Sequence, residues 1–308
     1  MTGPPTTLDW YGCATFGLRT AGLDIMLDAY VDRAAGAAGP TPPTSADDIA
    51  SCDYVIIGHA HFDHLFGADR VMANTDATLI GSYETVRVME RAGVDASRMI
   101  AVAGGETIDL GGRSGRATVT AFPSQHSCVW SGPMGQPDEV CLGDLGVTWH
   151  EQQERMKELM SRLGTSLDPH AMAHMLDAMS GHSERGDGGA LVYLFDLPDG
   201  RLLYQDTSGH WSGVLRDLRP DVAILAAAGR GNIDGEPIQG TLAQFVARQV
   251  DMLRPRTVIL SHHDDWLPGF SVPTDTSSIA EEMRRVAPGV ELREIGYVDG
   301  TTIFADPQ

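Results

Sequence analysis

Directly after the apolar run Tyr54–Gly58 the chain reads Gly58-His59-Ala60-His61-Phe62-Asp63-His64, and no other stretch restricts the fold as tightly. A continuous apolar run of this length is what a strand buried on both faces looks like. Four side chains able to hold a metal follow it within six residues. On a regular strand His59, His61 and Asp63 share one face and His64 opposes them. A turn after the strand lets them splay in different directions. The spacing therefore suits two adjacent metal ions better than one. Three neutral imidazoles and a carboxylate suit a borderline metal such as zinc.

The surroundings read as a layered α/β chain of many short strands. Thr7–Tyr11, Ala14–Thr20 and Leu23–Asp28 are short apolar or alternating runs punctuated by Gly12 and Gly22. A Gly/Pro/Ala-rich loop runs from Ala34 to Ser45. Further strands are expected at Thr78–Ile80, Met99–Val102, Thr107–Leu110, Ala117–Phe122, Leu191–Leu197, Leu202–Gln205, Val222–Ala226, Thr257–Leu260 and Thr301–Phe304. Helices are expected at Leu65–Ala73, Ser82–Arg91, Thr241–Leu253 and Ser277–Val286. The early hairpin-like strands argue against a simple doubly wound sheet. Two mixed sheets packed together, with helices outside, fit better. The chain reads as one domain over residues 1–308, interrupted by a helical insertion at 127–188. Within it Glu151–Leu163 and Pro169–Met179 look helical, and Met172, Met175, Leu176 and Met179 follow one helix face. That stripe reads first as packing against the core. The sharper alternative is a lid whose pliable Met side chains line a substrate pocket.

Charge narrows the function. With 22 basic and 42 acidic residues the formal net charge is −20, and no basic run exists. Such a field repels polyanions, so a nucleic-acid partner is not expected. No stretch reaches the ~20 apolar residues that span a bilayer, and the N-terminus lacks a signal-peptide pattern. Cys13, Cys52, Cys128 and Cys141 contain no C-x-x-C pair. Reduced thiols and a cytoplasmic location are the expectation.

Ligand-type residues recur at later strand ends. His126 follows Ala117–Phe122, Asp206 follows Leu202–Gln205, and His262 and His263 follow Thr257–Leu260. Each alone is weak, but together they repeat one placement, as α/β folds do when they build sites from loops at strand ends.

H-x-H-x-D-H followed in order by a His, an Asp and a His after later strands resembles the metallo-β-lactamase superfamily. The opening Trp10-Tyr11-Gly12-Cys13-Ala14-Thr15-Phe16, leading into Asp24–Asp28, is similar too. The ending His262-His263-Asp264-Asp265-Trp266 resembles the branch of ascorbate-6-phosphate lactonase-like proteins and N-acylphosphatidylethanolamine phospholipase D. The resemblance implies a four-layer αββα sandwich and two divalent metal ions, zinc first, with manganese or iron as alternatives. It implies His59, His61 and His126 on the first ion, Asp63, His64 and His262 on the second, and Asp206 bridging both. His263 stands where that branch more often carries an aromatic residue. Asp28 would be structural, supporting the first motif.

A metal-dependent hydrolase follows from that implication. A metal-bridging hydroxide would attack a small ester, lactone or amide, with Asp63 as the catalytic proton carrier. A phosphodiesterase of the same fold and an iron-dependent sulfur dioxygenase are the alternatives. Tyr30, His182, His210 and Trp211 are second-rank candidates for touching a small-molecule substrate. Cys128 reads as a small buried thiol, His170 and His174 as surface or structural groups, and Arg230 as half of a surface ion pair. The sequence leaves homo-oligomerisation open.

Overall fold

The computed structural model describes residues 4–34, 37, 45–131, 136–180 and 186–304. His182 and most of the loop from Ala34 to Ser45 lie outside them. Two seven-stranded mixed sheets face each other. In one, the neighbours run Thr301–Thr302, Thr7–Gly12, Thr15–Thr20, Leu23–Leu27, Tyr54–Ile56, Thr78–Ser82 and Met99–Val102. In the other they run Glu291–Leu292, Thr257–Ser261, Val222–Ala226, Gly200–Gln205, Leu191–Leu197, Thr118–Pro123 and Thr107–Asp109. Each sheet is antiparallel in one half and parallel in the other. A small third sheet joins Gly209–His210, Asn232–Ile233 and Glu236–Pro237.

Side-chain alternation explains the layers. Ile56 points into the core between the sheets, with Phe16, Tyr193, Tyr204 and Ile224. Its neighbours Val55 and Ile57 point outward, against the helices Ala68–Asn74 and Tyr83–Arg91. On the far sheet Val222 and Ile224 face the shared core, while Ala223 and Leu225 meet the helices Leu242–Leu253 and Ser277–Val286. The result is the four-layer αββα sandwich. Thr241 caps the third of these helices by accepting from the Gln244 N–H, in a reciprocal capping box.

One expected element divides. Leu65–Ala73 is a short turn of helix, Phe62–Leu65, followed by the helix Ala68–Asn74. Gly67 separates them at φ 110°, and a Cβ there would lie 2.7 Å from the Ala29 carbonyl oxygen, so the break is imposed by a close backbone approach.

The strands Thr118–Pro123 and Leu191–Leu197 pair antiparallel, yet the stretch between them carries two helices, Trp149–Ser166 and Pro169–Met179. Thr148 and Glu151 form a capping box on the first. Asp168 caps the second by accepting from the N–H groups of His170 and Ala171, with Pro169 in the first turn. Leu163, Leu167, Ala171 and Met175 pack with Tyr30, Trp266 and Leu267 in a fourth apolar cluster. Met175 is buried and Leu176 is 62% exposed, so the apolar stripe does not turn inward as a whole. Among the described residues, no helix is long and apolar enough to cross a membrane.

Candidate metal centre

Ile57 still bonds the neighbouring strand through its N–H to the Ile80 carbonyl, 2.9 Å, and there the ladder ends. The Gly58 N–H goes instead to Asp28 Oδ1, 2.8 Å. A Cβ at Gly58 would lie 2.1 Å from Asp206 Cγ, so only glycine admits the carboxylate to this place. His61 precedes the helical turn Phe62–Leu65, which carries Asp63 and His64. The Ala60 N–H donates to the Gly188 carbonyl, 3.0 Å, tying the turn to the far end of the long connection.

Three overlapping groups of donor atoms result among the described residues: His59, His61 and His126; Cys13, Asp63 and His262; and His59, His64 and Asp206. His59, His61 and His126 form the first, with ring centroids 4.5 to 4.7 Å apart. His59 Nε2 and His61 Nδ1 stand 3.1 Å apart. His126 Nδ1 lies 2.9 Å from the Ser127 carbonyl, which leaves Nε2 as its free nitrogen. Asp63 and His262 belong to the second, with His262 Nε2 3.2 Å from Asp63 Oδ2. His64 Nε2 approaches the same oxygen at 3.4 Å. His262 sits at φ 62°, held there as its N–H donates to the Cys13 carbonyl, 2.8 Å. His263 turns away and stacks on Trp10, centroids 4.7 Å apart.

Buried carboxylates orient the imidazoles from behind. Asp28 Oδ2 accepts from His64 Nδ1 at 2.6 Å and from the Tyr204 hydroxyl at 2.7 Å. Asp206 Oδ2 lies 2.6 Å from His59 Nδ1 and 3.4 Å from His64 Nδ1. Its Oδ1 is buried with no partner.

Electrostatics follow from this packing. Burial holds His59, His61 and His126 below the usual imidazole range. Burial alone would lower His64 too, but Asp63 and Asp28 outweigh it and hold it well above. Burial pushes Asp28 up to about 6 and raises Asp206. For Asp63 burial is overcome by His64 and His262, and the carboxyl stays well below its usual value.

The donors fit a metal pair. In tetrahedral zinc sites the ligand atoms lie ~2.0–2.1 Å from the ion, which places neighbouring donors ~3.3 Å apart. The spacings of 3.1, 3.2 and 3.4 Å match that edge. An anionic oxygen left unpartnered in a dry site, as Asp206 Oδ1 is, calls for a cation nearby.

His61, Asp63, His64, His126 and His262 open onto a cavity of about 680 Å³. Trp149, Met156, Met160, Met175 and Met179 form its far wall, and Gln125, Gln152 and Asn232 add amides. Met175 and Met179 thus belong to the cavity as well as to the packing.

Three expected substrate contacts are not brought to this cavity. Tyr30 is fully buried behind Phe62 and Trp266, its hydroxyl 2.8 Å from His174 Nε2. His210 is drawn inward because Gly209–His210 pairs with Asn232–Ile233, and its ring lies on Phe245. Trp211, next along, is 37% exposed on the outside. Arg230 is buried and binds Asp144 at 2.7 Å and the Ser131 hydroxyl, so it anchors the long connection.

Sequence reasoning missed two features. Cys13 Sγ lies 3.5 Å from His262 Nε2, a contact 249 residues apart in the chain. Asp264 accepts from the Cys13 N–H, 3.0 Å, and pairs with buried Arg33, 3.0 Å. The one local signal was Cys13 itself, in the Cys13-Ala14 turn between the first two strands.

Known proteins share this architecture. A "UPF0173 metal-dependent hydrolase" of Pyrobaculum arsenaticum is 27% identical over 161 residues, 52% of this chain and 66% of that relative. The chain spans between 44% and 66% of the first curated relatives it matches. Among solved structures, Igni18, described as a metallo hydrolase from Ignicoccus hospitalis, superimposes with a TM-score of 0.58 at 16% identity, covering 97% of this chain and 98% of that one. A possible metal-dependent hydrolase from Veillonella parvula gives 0.57 at 14% identity, covering 98% and 100%. The family described as a beta-lactamase superfamily domain matches residues 24–204. That span takes in the histidine turn and reaches the strand that delivers Asp206, and by it the chain belongs to the metallo-β-lactamase superfamily.

Proposed function

We propose that the protein is a dinuclear metal-dependent hydrolase acting on the carbonyl of a small ester, lactone or amide. The observation that carries this reading is the cluster of overlapping donor groups, of which His61, Asp63, His64, His126 and His262 line a cavity whose far wall is apolar. His59, His61 and His126 would hold one ion and Asp63, His64 and His262 the other, with Asp206 between them. Zinc suits these donors best. When bound, such a pair supplies Lewis acidity and a water of lowered pKa.

The chain's own residues do the rest. Asp28 and Asp206 fix the tautomers and ring orientations of His64 and His59 through Nδ1. Asp63 lines the cavity, whereas Asp28 and Asp206 lie beneath it, so Asp63 is placed to orient water and carry its proton. The methionine and tryptophan wall would hold the hydrocarbon part of the substrate and exclude water. Among the described residues lining the cavity there is no Lys or Arg. Beyond the metal ions themselves the described lining thus offers a phosphate no guanidinium or ammonium, which favours a neutral acyl substrate. Within acyl substrates, lactones rank first by the likeness of His262-His263-Asp264-Asp265-Trp266 to the lactonase-like branch. We take residues 1–308 as one domain in which 127–188 walls the site, and we place it in the cytoplasm, where four free thiols are at home.

The test is elemental analysis of protein purified without added metal, with turnover of an acyl lactone, an aryl ester, a β-lactam and an aryl phosphodiester. About two zincs per chain with hydrolysis of a carbonyl substrate is the expected result. Asp206→Ala should lose both. One iron per chain and no hydrolysis after zinc loading would overturn the reading in favour of oxygen chemistry on sulfur.

A further inference from the structure

We propose that Cys13 is a ligand of the second metal ion, its Sγ joining Asp63 Oδ2 and His262 Nε2 in a mixed sulfur, oxygen and nitrogen set. The proposal rests on the metal-dependent reading above and adds a residue to it. The three donor atoms lie within 4.8 Å of one another. Sγ to Nε2 is 3.5 Å and Nε2 to Oδ2 is 3.2 Å. On one zinc, a thiolate at ~2.3 Å and a nitrogen or oxygen at ~2.0–2.1 Å subtending about 109° lie ~3.6 Å apart, and two nitrogen or oxygen ligands ~3.3 Å apart.

The backbone holds the thiol in this place. Cys13 sits at φ 49° in the turn between the first two strands. Its N–H donates to Asp264, and its carbonyl accepts from the His262 N–H and from Trp10 Nε1 at 3.1 Å. The cysteine and His262 are thus tied directly to each other. Sγ has otherwise only a weak 3.5 Å contact to the Asp63 carbonyl. The thiol is fully buried and does not line the cavity, so it is not placed to attack a substrate. Coordination forms the sulfur–metal bond as the thiol proton leaves to solvent. A thiolate makes this position softer than the first, favouring zinc, cobalt or iron over manganese and magnesium.

The experiment loads the full chain with Co²⁺ and follows thiolate-to-cobalt charge transfer in the near ultraviolet, beside metal stoichiometry. The wild type is expected to take up two cobalts and show the band. Cys13→Ser should lack the band and bind the second ion at least about tenfold more weakly. Because the variant could fail to fold, X-ray absorption on zinc-loaded wild type supplies a second measurement, which should find sulfur at ~2.3 Å. Two metals bound with neither band nor sulfur overturn the role of Cys13 and leave the metal-dependent reading intact. A band that persists in Cys13→Ser also overturns it. A wild type that takes up no metal overturns both.

Discussion

Gly58→Ala tests whether the carboxylate of Asp206 must lie against the end of the histidine strand. The new methyl would lie 2.1 Å from Asp206 Cγ and Oδ2, and ordinary contact begins near 3.4 Å. The carboxylate must therefore retreat by about 1.3 Å. Asp206 now stands 2.6 Å from His59 Nδ1. A retreat along that line stretches the contact to about 3.9 Å, beyond hydrogen bonding. Two separable losses follow. Overpacking a fully buried site should cost about 1–3 kcal/mol in the metal-free protein. Freeing the His59 ring should weaken zinc binding about 10–100-fold. Urea denaturation without metal reads the first, and zinc titration against a competing chelator reads the second. Gly164→Ala is the matched control: it lies within the helix Trp149–Ser166 with nothing within 4 Å of the added methyl. It should stabilise by about 0.5–1 kcal/mol and leave zinc affinity alone. Unchanged zinc affinity in Gly58→Ala would refute the reasoning, because it would mean that the Asp206–His59 contact does not position the site.

Three further outcomes are expected. Burial holds His210 down at about 4 against the ordinary imidazole value of 6.5, so its share of stability is whole above pH 6.5 and is lost as pH falls towards 4, by about 3 kcal/mol. His210→Phe, which keeps a ring on Phe245, should flatten the pH dependence of the metal-free urea midpoint; an equally steep profile would count against it. Arg33→Met strands Asp264 without its buried cation and should cost about 3–5 kcal/mol in the same assay, and a loss below about 1 kcal/mol would contradict the pairing. His263→Ala should keep both metals while losing about 0.5–1.5 kcal/mol of stacking on Trp10, whereas His262→Ala should lose one metal; the reverse pattern of metal content would exchange their roles.

What the sequence disclosed was local. His59, His61, Asp63 and His64 lie on one turn after one strand, so their spacing alone assembles much of the site. Strand-end placement added His126, Asp206 and His262, because the strands that precede them run the same way within one sheet and so end at the same edge. Tyr30, His210 and Trp211 have side chains able to touch a substrate, but residue type and place in the sequence do not fix direction. A two-residue strand pairing turned His210 inward, and a hydrogen bond to His174 across 144 residues took Tyr30. Cys13 and Arg33 were missed for the converse reason. Their partners lie more than 200 residues away, and no periodicity records such a contact.

Gly188 ties one end of the long connection to the histidine turn. Its φ is +59°, its carbonyl accepts from Ala60, and a Cβ there would lie 2.9 Å from the His59 ring. At the other end the Ser127 N–H donates to Thr207 Oγ1, 3.2 Å, and the Cys128 N–H to the Arg230 carbonyl, 2.9 Å. Both seams are stitched to the loops that carry the histidines and Asp206, and the apolar wall between them packs on Tyr30, Trp266 and Leu267. The segment is built as a cartridge. Exchanging what lies between the seams would change which molecules the cavity admits and leave the bonds of both seams to the loops of the histidines and Asp206 in place.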